Sequence, residues 1–117
     1  MKLAIIGSRG ITLNDIEKYL PQEIDAFDEI VSGGAKGVDT AAAKFAKENG
    51  IVLTEFLPDY KLYGRGAPLK RNEEIAEYAD EALAFWDGAS RGTAYSIELF
   101  KKLSKKVTVI IIQQSKE

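Results

Sequence analysis

Short apolar runs alternate with amphipathic stretches along the whole chain. Apolar runs at residues 3–6, 29–31, 51–57, 81–86 and 107–112 predict five strands. The stretches between them predict helices over 13–20, 37–49, 68–78 and 93–103. The clearest of these is 37–49. There Val38, Ala41, Ala42, Phe45 and Ala46 recur at helical spacing and Gly50 follows as a C-cap. Pro21 stops the first helix. Strand and helix alternate from end to end. That order predicts an α/β fold, a Rossmann-like three-layer sandwich with a five-stranded, mostly parallel sheet and helices on both faces. The continuously apolar strands agree, because a parallel strand is buried on two sides. One domain is expected over 1–112, with a polar tail at 113–117; the longest irregular segment is 58–67.

The polar positions add a second pattern. Gly7, Gly10, Gly33, Gly34, Gly37, Gly64, Gly66, Gly88 and Gly92 fall where a predicted strand leads into a helix, and only Gly50 lies at the other edge. Arg9, Arg65, Arg71 and Arg91 lie in such a loop or within one helical turn of it. In a parallel α/β sheet these loops share the carboxyl edge of the strands, where ligands bind. Glycine lets backbone N–H groups approach a ligand closely, helix N-termini carry partial positive charge, and arginine grips phosphate through two donors. The combination describes a phosphate site.

Composition narrows the chemistry available there. The 117 residues include no cysteine and no histidine, so thiolate nucleophiles, cysteine-ligated metals and the commonest general base are all absent. What remains is carboxylate, hydroxyl, lysine, arginine and backbone amide, with magnesium the metal compatible with such a set. No other cofactor is called for. The lack of cysteine fits a reducing compartment, and a cytoplasmic protein is expected. A net charge of −2 argues against an extended nucleic-acid footprint. The apolar run at 107–112 is too short to span a membrane. Self-association is compatible with all of this.

Four segments carry the candidate chemistry. In Ser32-Gly33-Gly34-Ala35-Lys36-Gly37-Val38-Asp39-Thr40 a strand runs through glycines into a helix. Its amides and Lys36 suit a phosphate and Asp39 suits a ribose hydroxyl, while the same residues also make a tight turn with Asp39 or Thr40 as helix cap. Gly7-Ser8-Arg9-Gly10 offers a hydroxyl and a guanidinium, or an ordinary turn. Trp86-Asp87-Gly88-Ala89-Ser90-Arg91-Gly92-Thr93 combines a cap at Ser90 or Thr93 with a free helix end. Asp87 there suits a sugar hydroxyl or magnesium, and Trp86 either the core or a ligand platform. In Tyr60-Lys61-Leu62-Tyr63-Gly64-Arg65-Gly66 and Lys70-Arg71-Asn72, tyrosines among cations suit base stacking or simply cover the sheet edge; Arg71 is the stronger candidate because a helix holds it. Glu98 either reaches the ligand edge or is solvated, and Lys101, Lys102, Lys105 and Lys106 read as solvated surface.

Gly7-Ser8-Arg9, VSGGAKGVDTAA (31–42), PDYKLYGRGAPLKRN (58–72) and FWDGASRGT (85–93) resemble, in this order, the SLOG superfamily of Smf/DprA and Lonely Guy proteins, in particular its small YspA/YpsA-related branch. The resemblance covers roughly 1–112. It implies a Rossmann-like fold and a nucleotide or nucleotide-derived ligand. Lonely Guy proteins are phosphoribohydrolases that release a base from a nucleoside monophosphate. Their GGxGTxxE signature is partly matched by Ser90-Arg91-Gly92-Thr93, but its glutamate position holds Ser96, and the next acid is Glu98. Arg71 matches their helix arginine, and Ser32–Asp39 resembles the SGGAKGVD segment of DprA, whose relatives bind single-stranded DNA.

The expected function is therefore binding of a nucleotide, nucleotide sugar or other phosphoribosyl ligand, as a sensor or accessory module. The alternatives are N-glycosidic hydrolysis, with Asp39, Asp87 and Glu98 as candidate catalytic carboxylates, and single-stranded DNA binding. The expected ligand contacts are Gly7, Ser8, Arg9, Ser32, Gly33, Gly34, Ala35, Lys36, Asp39, Arg71, Asn72, Trp86, Asp87, Ser90, Arg91, Gly92 and Thr93.

Overall fold

A computed structural model describes residues 1–8, 10–11, 16–20, 26–34 and 37–112. Its strands are β1 (Lys2–Gly7), β2 (Glu29–Ser32), β3 (Val52–Glu55), β4 (Glu81–Trp86) and β5 (Val107–Ile111). They form one sheet in the order β3-β2-β1-β4-β5. All four pairings are parallel, so the mostly parallel expectation resolves to a fully parallel sheet. The helices are α1 (Val38–Glu48), a single turn α2 (Tyr60–Tyr63), α3 (Ala67–Tyr78) and α4 (Arg91–Lys102).

The period-two geometry of the strands divides their side chains between two cores. Leu3 and Ile5 of β1, Ile30 of β2, and Leu83 and Phe85 of β4 face one side, where Val38, Ala42, Phe45 and Ala46 of α1 cover them together with Ile11, Ile16 and Phe27. Ala4 and Ile6, Val31, and Ala82 and Ala84 face the other, against Ile75 and Ala76 of α3 and Ile97 and Phe100 of α4. The second face of the sheet is thus mostly alanine, which lets α3 and α4 approach closely and fill the space with Ile75, Ile97 and Phe100. This is the expected three-layer sandwich.

Three local expectations change. Of the helix predicted over 13–20, Ile16–Tyr19 forms a short 3-10 helix, and 13–15 lie outside the described residues. The 58–67 segment, read as irregular, holds α2, whose N-cap Asp59 accepts from Leu62 N–H at 3.1 Å, followed by the 3-10 turn Gly64–Gly66. Lys105 is not solvated surface. Its ammonium donates to the carbonyls of Ala76, Glu77 and Ala79 at 2.7, 2.9 and 2.7 Å, closing the C-terminus of α3. A cation there satisfies carbonyls that have no helical partner and lies at the negative end of the helix dipole.

Helices α1 and α4 end in the same motif with different residues. After α1, Ile51 N–H bonds to Ala46 O and Gly50, at φ 65°, bonds to Lys47 O. After α4, Lys105 N–H bonds to Phe100 O and Ser104 N–H to Lys101 O, with Ser104 at φ 58°. The left-handed conformation suits glycine and strains serine through its Cβ. Ser104→Gly is expected to stabilise the fold by about 0.5–1 kcal/mol, seen as a rise of a few degrees in thermal midpoint. Lys105→Met is expected to cost about 2 kcal/mol by loss of its charged hydrogen bonds, measured by urea denaturation.

Candidate functional site

Strand β1 has β2 on one side and β4 on the other, and the chain leaves both pairs in opposite directions along the sheet. Such a reversal opens a crevice at the carboxyl ends of the strands. A cavity of about 380 Å³ lies there. Gly7, Ser8 and Gly10 line it after β1, Gly33 after β2, and Asp87 and Ser90 after β4; Gly92, Thr93 and Ser96 come from α4, and Pro68, Leu69, Arg71, Asn72 and Ile75 from α3.

The β1 and β4 loops are tied together at the floor of this cavity. Ser8 N–H donates to Phe85 O at 3.0 Å, carrying the ladder one residue beyond β1. Its hydroxyl oxygen accepts from Asp87 N–H at 3.3 Å and shares a hydrogen bond with the Thr93 hydroxyl at 3.2 Å. Ser8 and Thr93 are only 2% and 5% exposed, so these hydroxyls are buried and paired. Gly7 has to be glycine, because a Cβ there would meet Val38 of α1 at 2.5 Å.

Asp87 shapes the next loop. Its Oδ1 accepts from Ala89 N–H at 2.9 Å and from Ser90 N–H at 2.7 Å. These backbone donors, led by Ser90, hold its carboxyl below the usual aspartate range. Ser90 occupies the N-cap of α4 but makes no side-chain cap bond, and Thr93 is turned to Ser8. The cap expected of these two residues is thus not formed by their hydroxyls, and Asp87 organises the approach to the helix instead. Trp86 is half-buried against the second core and donates from Nε1 to Ser90 O at 3.0 Å. It braces the loop from behind.

Arg71 joins α3 to the glycine loop. Its Nη1 donates to Gly33 O at 2.7 Å and its Nε to Asn72 Oδ1 at 2.9 Å. The guanidinium lies so close over Gly33 that a Cβ would sit 2.6 Å from Nη1. Gly34, at φ 72°, has its Cβ direction blocked by Leu57.

The cavity thus gathers Gly7, Ser8, Gly33, Arg71, Asn72, Asp87, Ser90, Gly92 and Thr93 from the expected contacts. Ser32 is buried below the loop, its hydroxyl accepting from Gly34 N–H at 3.4 Å. Gly34 is exposed beside Leu57, and Arg91 is exposed at the first turn of α4. Asp39 is 7% exposed within the first turn of α1, whose N-cap position is Gly37. Glu98 lines a separate depression with Tyr95, Leu99, Lys101 and Lys102. Arg9, Ala35 and Lys36 lie outside the described residues.

Sequence reasoning missed Pro68, Leu69 and Ile75. Positions 68, 71, 72 and 75 follow the i, i+3, i+4, i+7 rule for one helix face, so Arg71 as an anchor would have found two of them. Ser96, the departure from the glutamate signature, lines the cavity and is 5% exposed. Asp87 is the one carboxylate among the described lining residues. Among the described residues no group of three or more acidic side chains stands where it would hold a metal, and no helix is long and apolar enough to cross a membrane.

A family model described as YAcAr, the YspA, cpYpsA-related SLOG family, matches residues 1–63. No curated protein and no solved structure was found to match. The matched part includes β1, β2, α1 and β3, and with them two of the three strand-end loops that border the cavity. It supports a nucleotide-related ligand-binding role in general terms. With more than half of its length matched, the chain belongs to the YspA, cpYpsA-related SLOG family.

Proposed function

We propose that this protein binds a nucleotide or nucleotide-derived ligand in the cavity at the carboxyl edge of its sheet, as a sensor or accessory module. One observation carries the reading: the cavity lies at the reversal between β1 and β4, bordered by three strand-end loops and by Arg71. Its volume of about 380 Å³ is in the range of small-molecule sites. Gly92 and Thr93 bring the first turn of α4 to its edge, where backbone donors favour an anion. Ile6, Pro68, Leu69 and Ile75 give it an aliphatic wall for a sugar or base. Asp87, ionised and at the rim, suits ribose hydroxyls. Arg9 and Lys36 belong to the same two loops in the sequence and add positive charge to them.

A second reading, cleavage of a nucleotide N-glycosidic bond, rests on Asp87. Oxocarbenium chemistry needs a carboxylate at the sugar, and Asp87 lines the cavity in its charged form. Glycoside hydrolysis ordinarily uses two carboxyl groups, and Ser96 stands where the signature has its glutamate. Binding is therefore the reading the cavity supports better.

Calorimetric titration with a panel of nucleoside monophosphates and nucleotide sugars is expected to show saturable binding. Arg71→Gln is expected to weaken it ten- to hundredfold, by loss of about 1.5–3 kcal/mol of charged hydrogen bonding. Binding by none of the panel would refute the reading. Under the second reading, incubation with nucleoside monophosphates releases free base and Asp87→Asn stops the release; with no base released, that reading falls.

A further inference from the structure

Strand β5 forms one edge of the sheet, and among the described residues no strand lies beyond it. Ala82 N–H donates to Lys106 O and Ile112 N–H to Trp86 O, so positions 106 and 112 face β4. Along a parallel strand the positions that face one neighbour alternate with those that face away. Thr108 and Ile110 therefore face β4 as well, and Val107, Val109 and Ile111 turn their N–H and C=O groups outward. The side chains of these three lie on the face that α4 covers, where Val107 packs against the second core. Val109 and Ile111 are left 37% and 53% exposed. Edge strands that stay single are blunted by charge, by proline or by shortness. The other edge, β3, has four residues and ends on the exposed Glu55. Strand β5 has no such device. Residues 107–115 are the longest run without a charged residue in the chain, and 107–112 are all β-branched.

We propose that a second copy of this chain covers this edge: two β5 strands pair antiparallel across a twofold axis at Val109 and join two five-stranded sheets into one. The edge complements itself in backbone and in side chains. Under that axis Val109 faces Val109, and Val107 of each copy faces Ile111 of the other. All three outward positions then meet as hydrogen-bonded pairs, and no outward N–H or C=O between 107 and 111 is left over. Val, Val and Ile stand opposite Ile, Val and Val, the β-branched pairing that stabilises neighbouring strands.

The helices above the strands agree with this occupant. Helix α4 packs over β4 and β5. Its copy across the axis is then two strand spacings away, roughly 9.6 Å. Neighbouring helices pack at about 8–10 Å, so the two α4 helices touch without strain on the sheet. They run antiparallel, and each carries Glu98 and Lys101 exposed, one turn apart. The axis brings each Glu98 towards Lys101 of the other copy, so the charges at this contact are complementary. Because the axis reverses the strands, the carboxyl edges of the two sheets point in opposite directions, and both cavities stay open.

The test is sedimentation velocity of the full chain across the micromolar range, where a species of twice the chain mass is expected. Val109→Lys and Val109→Glu each set like charges against each other at the axis. With folding verified by thermal melting, each alone is expected to weaken association by roughly a hundredfold and to sediment as a monomer. Mixed in equal amounts, the two variants set lysine against glutamate and are expected to restore the dimer. Ile111→Glu places a charge where the side chain is more exposed than at 109, and serves if a Val109 variant does not fold. It faces Val107 of the other copy and is expected to weaken the dimer as well. A chain that is monomeric throughout, a dimer that survives a charge at 109 or 111, or a mixture of the lysine and glutamate variants that stays monomeric overturns the proposal.

Discussion

The parallel pairing of β1 with β4 is the constraint on which the rest of this molecule depends. It puts the first strand in the centre of the sheet and forces the chain to reverse its direction of winding there. It runs in register from Leu3↔Glu81 to Gly7↔Phe85, and the Ser8 amide extends it by one more bond to Phe85 O. At that point the two loops are close enough for one hydroxyl to bind both the Asp87 amide and the Thr93 side chain. The floor of the cavity is thus the end of the ladder.

The two faces of the sheet divide the labour. On one, α1 and the segment after β1 cover a bulky core of leucine, isoleucine and phenylalanine. On the other, small alanines let α3 and α4 sit close at their C-terminal halves, where Ile75, Ile97 and Phe100 pack. Towards their N-termini the same buried stripes turn polar. In α4 the stripe Thr93, Ser96, Ile97, Phe100 runs from cavity to core, and in α3 Pro68, Arg71 and Asn72 precede Ile75. Each helix is anchored by its apolar end and offers its polar end to the crevice. Lys105 reinforces the arrangement from the far side by closing the carbonyl end of α3.

Arg71 shows how position and chemistry combine. It lies 38 residues after Gly33, yet its guanidinium donates to that carbonyl and occupies the space a side chain at 33 would need. The glycine and the arginine therefore require each other. A loop fixed by its own backbone and a helix fixed by its packing define a wall that neither element makes alone.

Much of the fold was legible in the sequence. Apolar runs marked all five strands, helical spacing marked α1, α3 and α4, and their alternation determined a parallel sheet covered on both faces. The physical reason is that burial on two sides leaves a strand no polar positions, while a helix on its surface keeps one polar face. The clustering of glycine and arginine pointed to the edge at which the cavity lies. What only the tertiary structure decided is which of those residues meet. Ser8, Gly33, Arg71, Asp87 and Thr93 converge, whereas Glu98 faces another depression and Ser32 supports the loop from below. Local spacing says which face of its own helix a residue shares, but not how that face is turned towards strands tens of residues away. That orientation comes from the packing of alanine against Ile75, Ile97 and Phe100, and from hydrogen bonds such as Asp87 N–H to the Ser8 hydroxyl and Arg71 to the Gly33 carbonyl, which the sequence contains only as separate residues.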